Sequence, residues 1–155
     1  MKKISKLDEY LFDLHGYIII KNALNKKELK DINNILDKLK KLKNYEWAGH
    51  VHGHNYGGKE GLNLQQIYEA GKPFEKLIDH PSWINHMLHF VGGKGTFDHL
   101  HGPLFIDENF ANIRGPGEAI GIHSGNAEGL QRNHYRYQNG KFHCSQVNIL
   151  LALTN

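Results

Sequence analysis

Residues 135–144 read YRYQNGKFHC, and this stretch decides the class of fold. Asn139-Gly140 lies between two runs of strand-forming residues, and both residues tolerate a positive φ, so the pair predicts the turn of a β-hairpin. Similar short runs, separated by turn residues, fill the chain from residue 95 onward: 96–100, 104–106, 110–113, 120–123, 135–137, 142–144 and 147–153. Residues 94–155 are therefore predicted to form antiparallel strands.

Residues 1–93 have a different pattern and are predicted to be mostly helical. Ser5 with Asp8 three residues later resembles a capping box, and Gly16 marks the end of this first helix. Asn25 and Glu28 begin a second helix, whose apolar stripe is Leu29, Ile32, Ile35, Leu36, Leu39 and Leu42. The remaining predictions here are helices near residue 73 and over 81–90, a short buried strand at 17–20 and a loop at 44–61.

Helices followed by antiparallel strands indicate an α+β class, with N-terminal helices packed on a sheet, in one domain covering residues 1–155. The formal charge of +3 is too small to indicate a nucleic-acid partner, and the lysines of residues 2–43 are predicted to line a solvated helix face. No apolar run approaches the roughly 20 residues of a membrane span, and the N-terminus does not resemble a signal peptide. Cys144 is the single cysteine, so no internal disulfide forms and a cytoplasmic location is expected.

Twelve histidines make this residue type the outlier of the composition. His123 ends the apolar run IGIH, where a strand could present it to a metal together with a carboxylate two residues later, but that position is Gly125. His50, His52 and His54 alternate in HVHGH and would share a face if the segment were a strand, although the surrounding glycines favour a loop. His99 and His101 show the same alternation without a third ligand.

Other candidate site residues come from the β half. Arg114 precedes a Gly-Pro-Gly turn, where a guanidinium can hold a carboxylate with two hydrogen bonds. Tyr135 and Tyr137 share one strand face and either line a pocket or pack. We take these three residues as candidate cofactor-binding residues. Cys144 and its neighbour His143 point to opposite faces of a strand, which disfavours a catalytic pair.

Three segments together resemble the phytanoyl-CoA dioxygenase family. They are FDLHGYIIIKNALNKKELKDINNILD at 12–37, PFEKLIDHPSWINHMLHFVGG at 73–93, and FDHLHGPLFIDENFANIRGPGEAIGIHSG at 97–125 followed by the hairpin of 135–155. The resemblance implies a double-stranded β-helix, also called a jelly-roll or cupin-like fold. It further implies Fe(II) and 2-oxoglutarate with O₂, hydroxylation of a small-molecule substrate, and His123 as the first metal ligand.

The sequence departs from this family in two places. The usual His-x-Asp is His123-Ser124-Gly125 here, as in related iron halogenases, and nothing selects Glu118 or Glu128 as a substitute. The Gly-Asp-Gly turn, the distal metal histidine and the 2-oxoglutarate-binding arginine of the family are not found within the 155 residues. We therefore expect an N-terminal portion that needs the C-terminal remainder of the fold, binds iron weakly alone, and leaves 147–153 as an open apolar edge.

Two alternatives remain open at this point. One is a non-catalytic, histidine-rich metal-binding or interaction module that uses residues 50–54, 99 and 101. The other is a halogenase-like enzyme with the vacant carboxylate position. The sequence does not define the substrate.

Overall fold

A computed structural model describes residues 4–56, 59–91, 102–121 and 135–154, with the side chains of residues 136–138, 142 and 143 outside that description. The fold is α+β: the described residues form four α-helices, one 3₁₀-helix, a four-stranded antiparallel sheet and a separate hairpin. The elements are α1 (Lys6–His15), α2 (Lys26–Leu39), β1 (Trp47–Ala48), β2 (Val51–His54), β3 (Leu62–Gln65), the 3₁₀-helix (Ile67–Ala70), α3 (Lys72–Glu75), α4 (Ile84–Phe90), β4 (Phe110–Ile113), β5 (Tyr135–Gln138) and β6 (Lys141–Cys144).

The chain divides into two compact units, each drawn from both halves of the sequence. The first contains residues 1–23, 80–105 and 123–152, and the second contains 24–79, 106–122 and 153–155. No helix in the described ranges is long and apolar enough to cross a bilayer.

In the first unit, α1 packs through its single buried residue. Phe12 stacks on Phe90 of α4, with ring centroids 4.0 Å apart, and meets the edge of Tyr135 from β5. The predicted capping box is confirmed: the Ser5 hydroxyl accepts a hydrogen bond from Asp8 N at 3.1 Å, and the Asp8 carboxylate accepts one from Ser5 N. These local signals fix where α1 begins, so its apolar side chain meets the hairpin at a defined position.

The β5–β6 hairpin forms as predicted from its turn. Asn139 and Gly140 have φ values of 54° and 73°, and β5 pairs antiparallel with β6 from Tyr135 opposite Cys144 to Gln138 opposite Lys141. Two successive positive φ values match the right-handed twist of the flanking strands, which explains why this dipeptide gives a reliable sequence signal.

The core of the second unit lies between α2 and one face of the sheet. Ile32 is fully buried, and Val51, Leu64, Ile67 and Phe74 complete the buried cluster. Leu153 also packs against this cluster, and its carbonyl accepts a hydrogen bond from Asn33 Nδ2 at 2.8 Å. Five of the six residues of the predicted apolar stripe, all except Leu29, belong to this cluster or pack against it, although α2 itself ends at Leu39 and Leu42 lies beyond it.

The prediction that residues 44–61 form a loop is wrong, because β1 and β2 lie within this range and pair antiparallel. Within β2, position 53 requires glycine because a Cβ atom there would lie 2.3 Å from the carbonyl oxygen of Lys43. The glycines that indicated a mobile loop thus permit a close backbone approach and a tight hairpin. β3, which had no sequence prediction, follows and pairs with β2.

Three other predicted strands are not in regular β structure. Residues 17–20, 104–106 and 147–153 have no strand assignment, and Ile19 and Leu150 are 74% and 91% exposed. A β-branched or apolar run forms a strand only where a partner strand supplies backbone hydrogen bonds and side-chain contacts. In the predicted strand 120–123, residues 120 and 121 are also irregular, and the rest lies outside the described residues, as does 96–100. The helix expected over 81–90 begins only at Ile84.

Replacing Asn25 with alanine should destabilise the protein by about 1 kcal/mol. The Asn25 side chain accepts hydrogen bonds from Lys27 N and Glu28 N at 2.9 and 3.0 Å, and both donors would lose their partner at the start of α2. Urea unfolding followed by circular dichroism measures the change. The matched control is Asn34→Ala on the exposed side of the same helix, where the higher helix propensity of alanine should leave stability equal or slightly raised.

Candidate functional site

The sheet of the second unit has a polar face opposite its apolar core face. The strand register places seven side chains there, and we call this set the polar face: Trp47, His52, His54, Asn63, Gln65, Phe110 and Asn112. Side chains directly opposite one another in antiparallel strands lie on the same side of a sheet, and successive residues alternate. Val51, Leu64 and Ile113 accordingly occupy the other side, against α2.

Hydrogen bonds between amide side chains order the middle of the polar face. Asn63 Nδ2 donates to Asn112 Oδ1 at 2.9 Å, and Gln65 Nε2 donates to Asn63 Oδ1 at 2.7 Å. Gln65 Nε2 also donates to the Tyr56 hydroxyl at 2.7 Å. Asn63 is only 5% exposed, so its amide is satisfied within this network instead of by bulk water. The network links side chains of β3 and β4 to Tyr56, which follows β2.

Two half-buried histidines form the other part of the polar face. His52 stacks on Trp47 with ring centroids 4.4 Å apart, and His54 meets the edge of the Tyr56 ring at the same distance. The two imidazole centroids lie 6.4 Å apart with their planes at 78°. His52 Nδ1 is buried and has no hydrogen-bond partner among the described residues. The aromatic contacts restrict both rings while leaving this nitrogen unused.

The chemistry of the polar face is that of neutral hydrogen bonding and ring stacking. None of its seven residues is an acid, a lysine or an arginine, although such residues make up 23% of the chain. Trp47 on edge strand β1 is 60% exposed, and Asn112 on the opposite edge strand β4 is also exposed, so the two edges of the face offer a stacking surface and an amide group respectively. Such a face suits an uncharged polar molecule or a cation that binds imidazole.

Arg114 directly follows β4 and helps to attach the loop of residues 114–119 to the segment just before β3. Its Nε donates to the carbonyl oxygen of Glu60 at 3.2 Å, and Ala119 N donates to the carbonyl oxygen of Lys59 at 2.8 Å. The Glu118 carboxylate accepts a hydrogen bond from Gly115 N at 2.6 Å and so closes the turn. These contacts hold the loop after β4 in place as far as Ala119.

The tyrosine pair predicted to bind a cofactor lies in β5 of the first unit. The Tyr135 hydroxyl donates a 2.6 Å hydrogen bond to Asp13 Oδ1 of α1, a contact that joins the hairpin to the helix. The backbone of Tyr137 is in the same strand, and its side chain lies outside the description. Arg114 and Tyr135 belong to different compact units.

Cys144, at the end of β6, is a half-buried thiol. Its Sγ donates to the carbonyl oxygen of Gln146 at 3.5 Å, and burial raises the pKa of the thiol although this hydrogen bond opposes the shift. The thiolate that a nucleophile requires is thus disfavoured at neutral pH. The side chain of His143 lies outside the description. The prediction that Cys144 and His143 do not form a catalytic pair therefore stays a prediction.

His123, the metal ligand predicted from the sequence, lies outside the described residues, as do Gly125, Glu128, His99 and His101. Within the described ranges, no three His, Cys, Asp or Glu side chains lie close enough to hold one metal ion. His80, by contrast, is structural: it is buried, stacks on Trp83 and accepts a hydrogen bond from Ser82 N at 3.2 Å.

The amide network was absent from the sequence predictions, although a signal for it exists. Residues 62–65 read Leu-Asn-Leu-Gln and residues 110–113 read Phe-Ala-Asn-Ile, and the first is a clean apolar–polar alternation. Alternation of this kind predicts a strand with one core face and one polar face. Reading it together with HVHGH would have placed the histidines and amides on one surface.

Comparison with known proteins adds no relative: no family model, curated protein or solved structure matches this chain.

Proposed function

We propose that this chain forms part of an Fe(II)- and 2-oxoglutarate-dependent oxygenase that hydroxylates a small organic molecule. The support is the resemblance of residues 12–37, 73–93, 97–125 and 135–155 to the phytanoyl-CoA dioxygenase family. A jelly-roll barrel, in which two sheets enclose the site, is the finer fold that this proposal requires. The α+β arrangement is compatible with one wall of such a barrel.

One structural observation supports the proposal most directly: the loop after β4 is anchored up to Ala119, four residues before His123 in the sequence. β4 pairs with β3 in a sheet whose core face is covered by α2, and the loop after Ile113 is held by the contacts of Arg114 and Ala119. The IGIH run begins at residue 120, directly after this anchored loop. In an oxygenase of this type, the anchored loop would restrict where the imidazole of residue 123 can lie.

Iron enters this proposal only through residues outside the described ranges. The described residues do not supply three convergent ligands, so His123 and residues of the remaining fold would have to hold the metal. When bound, ferrous iron supplies the O₂ chemistry that couples decarboxylation of 2-oxoglutarate to hydroxylation of a C–H bond. The Arg114 guanidinium remains the candidate partner for a carboxylate, as predicted from the sequence.

The proposal is tested by measuring succinate released from 2-oxoglutarate in the presence of Fe(II) and O₂. Residues 1–155 alone should release little succinate, because the distal histidine and the 2-oxoglutarate-binding arginine would lie beyond them. A version that follows the reading frame past residue 155 should release succinate, and His123→Ala in that version should reduce the rate by about 100-fold or more.

His15→Ala is the matched control, since this histidine is exposed at the end of α1. It should leave the rate of the longer version unchanged. Equal succinate formation with and without His123, or none from the longer version with iron present, would rule the oxygenase proposal out.

A further inference from the structure

The HVHGH segment is not used by the oxygenase proposal, yet the structure gives two of its histidines a common environment. His52 and His54 alternate along β2, so both side chains lie on the polar face, whereas His50 lies in the turn before the strand and is exposed. Alternation on a strand is a spacing that lets two imidazoles reach one ion. Of the three histidines in this motif, only His52 and His54 therefore lie on a common face.

The distance between the two rings is close to the separation that a shared ion requires. With metal–nitrogen bonds of about 2.0–2.1 Å, two imidazoles on one ion have centroids roughly 5–6.4 Å apart, depending on the angle at the metal. The observed 6.4 Å corresponds to a linear arrangement, and a tetrahedral angle at the metal places the centroids roughly 5.2 Å apart, so the two side chains must rotate toward each other by roughly 1 Å to share a Zn²⁺ ion. Trp47 and Tyr56 hold the two rings by stacking and edge contacts, which lowers the entropy lost on binding.

The Nδ1 atom of His52 gives a second, independent observation that points to a ligand at this position. A buried imidazole nitrogen without a hydrogen-bond partner among the described residues is costly, and a ligand that occupies it would remove that cost. The surrounding amides do not compete for it, because the Gln65 and Asn63 side chains bond to each other and to Asn112. An acceptor lone pair on a neutral ring is the donor that borderline divalent cations select.

We propose that His52 and His54 chelate one borderline transition-metal cation of the Zn²⁺, Ni²⁺ or Cu²⁺ class, with water in the remaining coordination positions. No carboxylate or thiolate belongs to the polar face, so the site selects imidazole-binding cations over Mg²⁺ and Ca²⁺, which take oxygen ligands. The site is independent of His123 and of the oxygenase proposal.

The test is a titration of tag-free protein with Zn²⁺, followed by isothermal calorimetry. His52→Phe keeps a ring against Trp47 and removes the nitrogens, and His54→Ala removes the second ligand. Each variant should bind at this site at least about tenfold more weakly than the unaltered chain, because loss of a direct ligand costs no less than loss of a supporting contact. Mg²⁺ should give no binding heat.

His50→Ala is the matched control: it removes one histidine from the same motif and should leave Zn²⁺ affinity and stoichiometry unchanged. Binding by other histidines of the chain would persist in all three variants, so only the differences between them are diagnostic. Circular dichroism shows whether His52→Phe folds, and His54→Ala gives a separate reading if it does not. Equal affinity and stoichiometry in the unaltered chain and in His54→Ala would overturn the chelate, whatever the outcome of the succinate assay.

Discussion

Ile32→Ala should destabilise the second unit by about 3 kcal/mol, within the 2–5 kcal/mol typical of such truncations in a packed core. Ile32 has no exposed surface and belongs to the buried cluster with Leu64 and Val51, so the substitution removes apolar contacts on the core face of the sheet. The void would open between α2 and the strands that carry the polar face. The loss combines the transfer free energy of the deleted atoms with the cost of the cavity.

Urea unfolding of the variant should show a lower midpoint with an unchanged slope, and hydrogen exchange at the β2 and β3 amides should become faster. Ile19→Ala is the matched control, because the same atoms are deleted from a side chain that is 74% exposed. Its effect should stay within about 0.5 kcal/mol. A similar loss of stability in both variants would contradict the assignment of Ile32 to the centre of this core.

Local signals in the sequence predicted the parts of the fold that local interactions determine. The capping residues of α1 and α2 satisfy backbone groups within three positions, and the turn at Asn139-Gly140 depends on two adjacent φ angles. These features were confirmed because no distant contact is needed to form them. The strand at 110–113 was confirmed as β4, and here the distant partner was present, because β4 pairs with β3 along its whole length.

Two predictions that depended on long-range contacts were wrong. The β-branched run at 17–20 lacks a strand assignment because propensity alone does not supply a partner strand. The glycines near residue 53 were interpreted as a loop because a close approach to Lys43 is visible only in three dimensions. The same error hid the pairing of His52 and His54 with amides of β3, although their alternation had been recognised.

Gly53→Ala should destabilise the sheet by about 2–3 kcal/mol, the cost expected when a side chain is forced into a filled space. Its Cβ would lie 2.3 Å from the carbonyl oxygen and 3.1 Å from the carbonyl carbon of Lys43, and backbone atoms cannot rotate away as a side chain can. Gly53 N donates to Glu46 O at 3.0 Å, and Tyr45 N donates to Gly53 O at 2.7 Å. Relieving the clash would therefore stretch both hydrogen bonds.

The same substitution should also loosen the histidine pair, because Gly53 lies between His52 and His54 in β2. Urea unfolding measures the loss of stability, and faster exchange of the Gly53-position and Tyr45 amides locates it. Gly121→Ala serves as the control: no heavy atom of the described residues would lie within 4 Å of the new Cβ, and the φ of Gly121 is outside the left-handed region. If both alanine variants were as stable as the unaltered chain, the close approach of Lys43 to β2 would be incorrect, and with it the reason that glycine occurs between the two histidines.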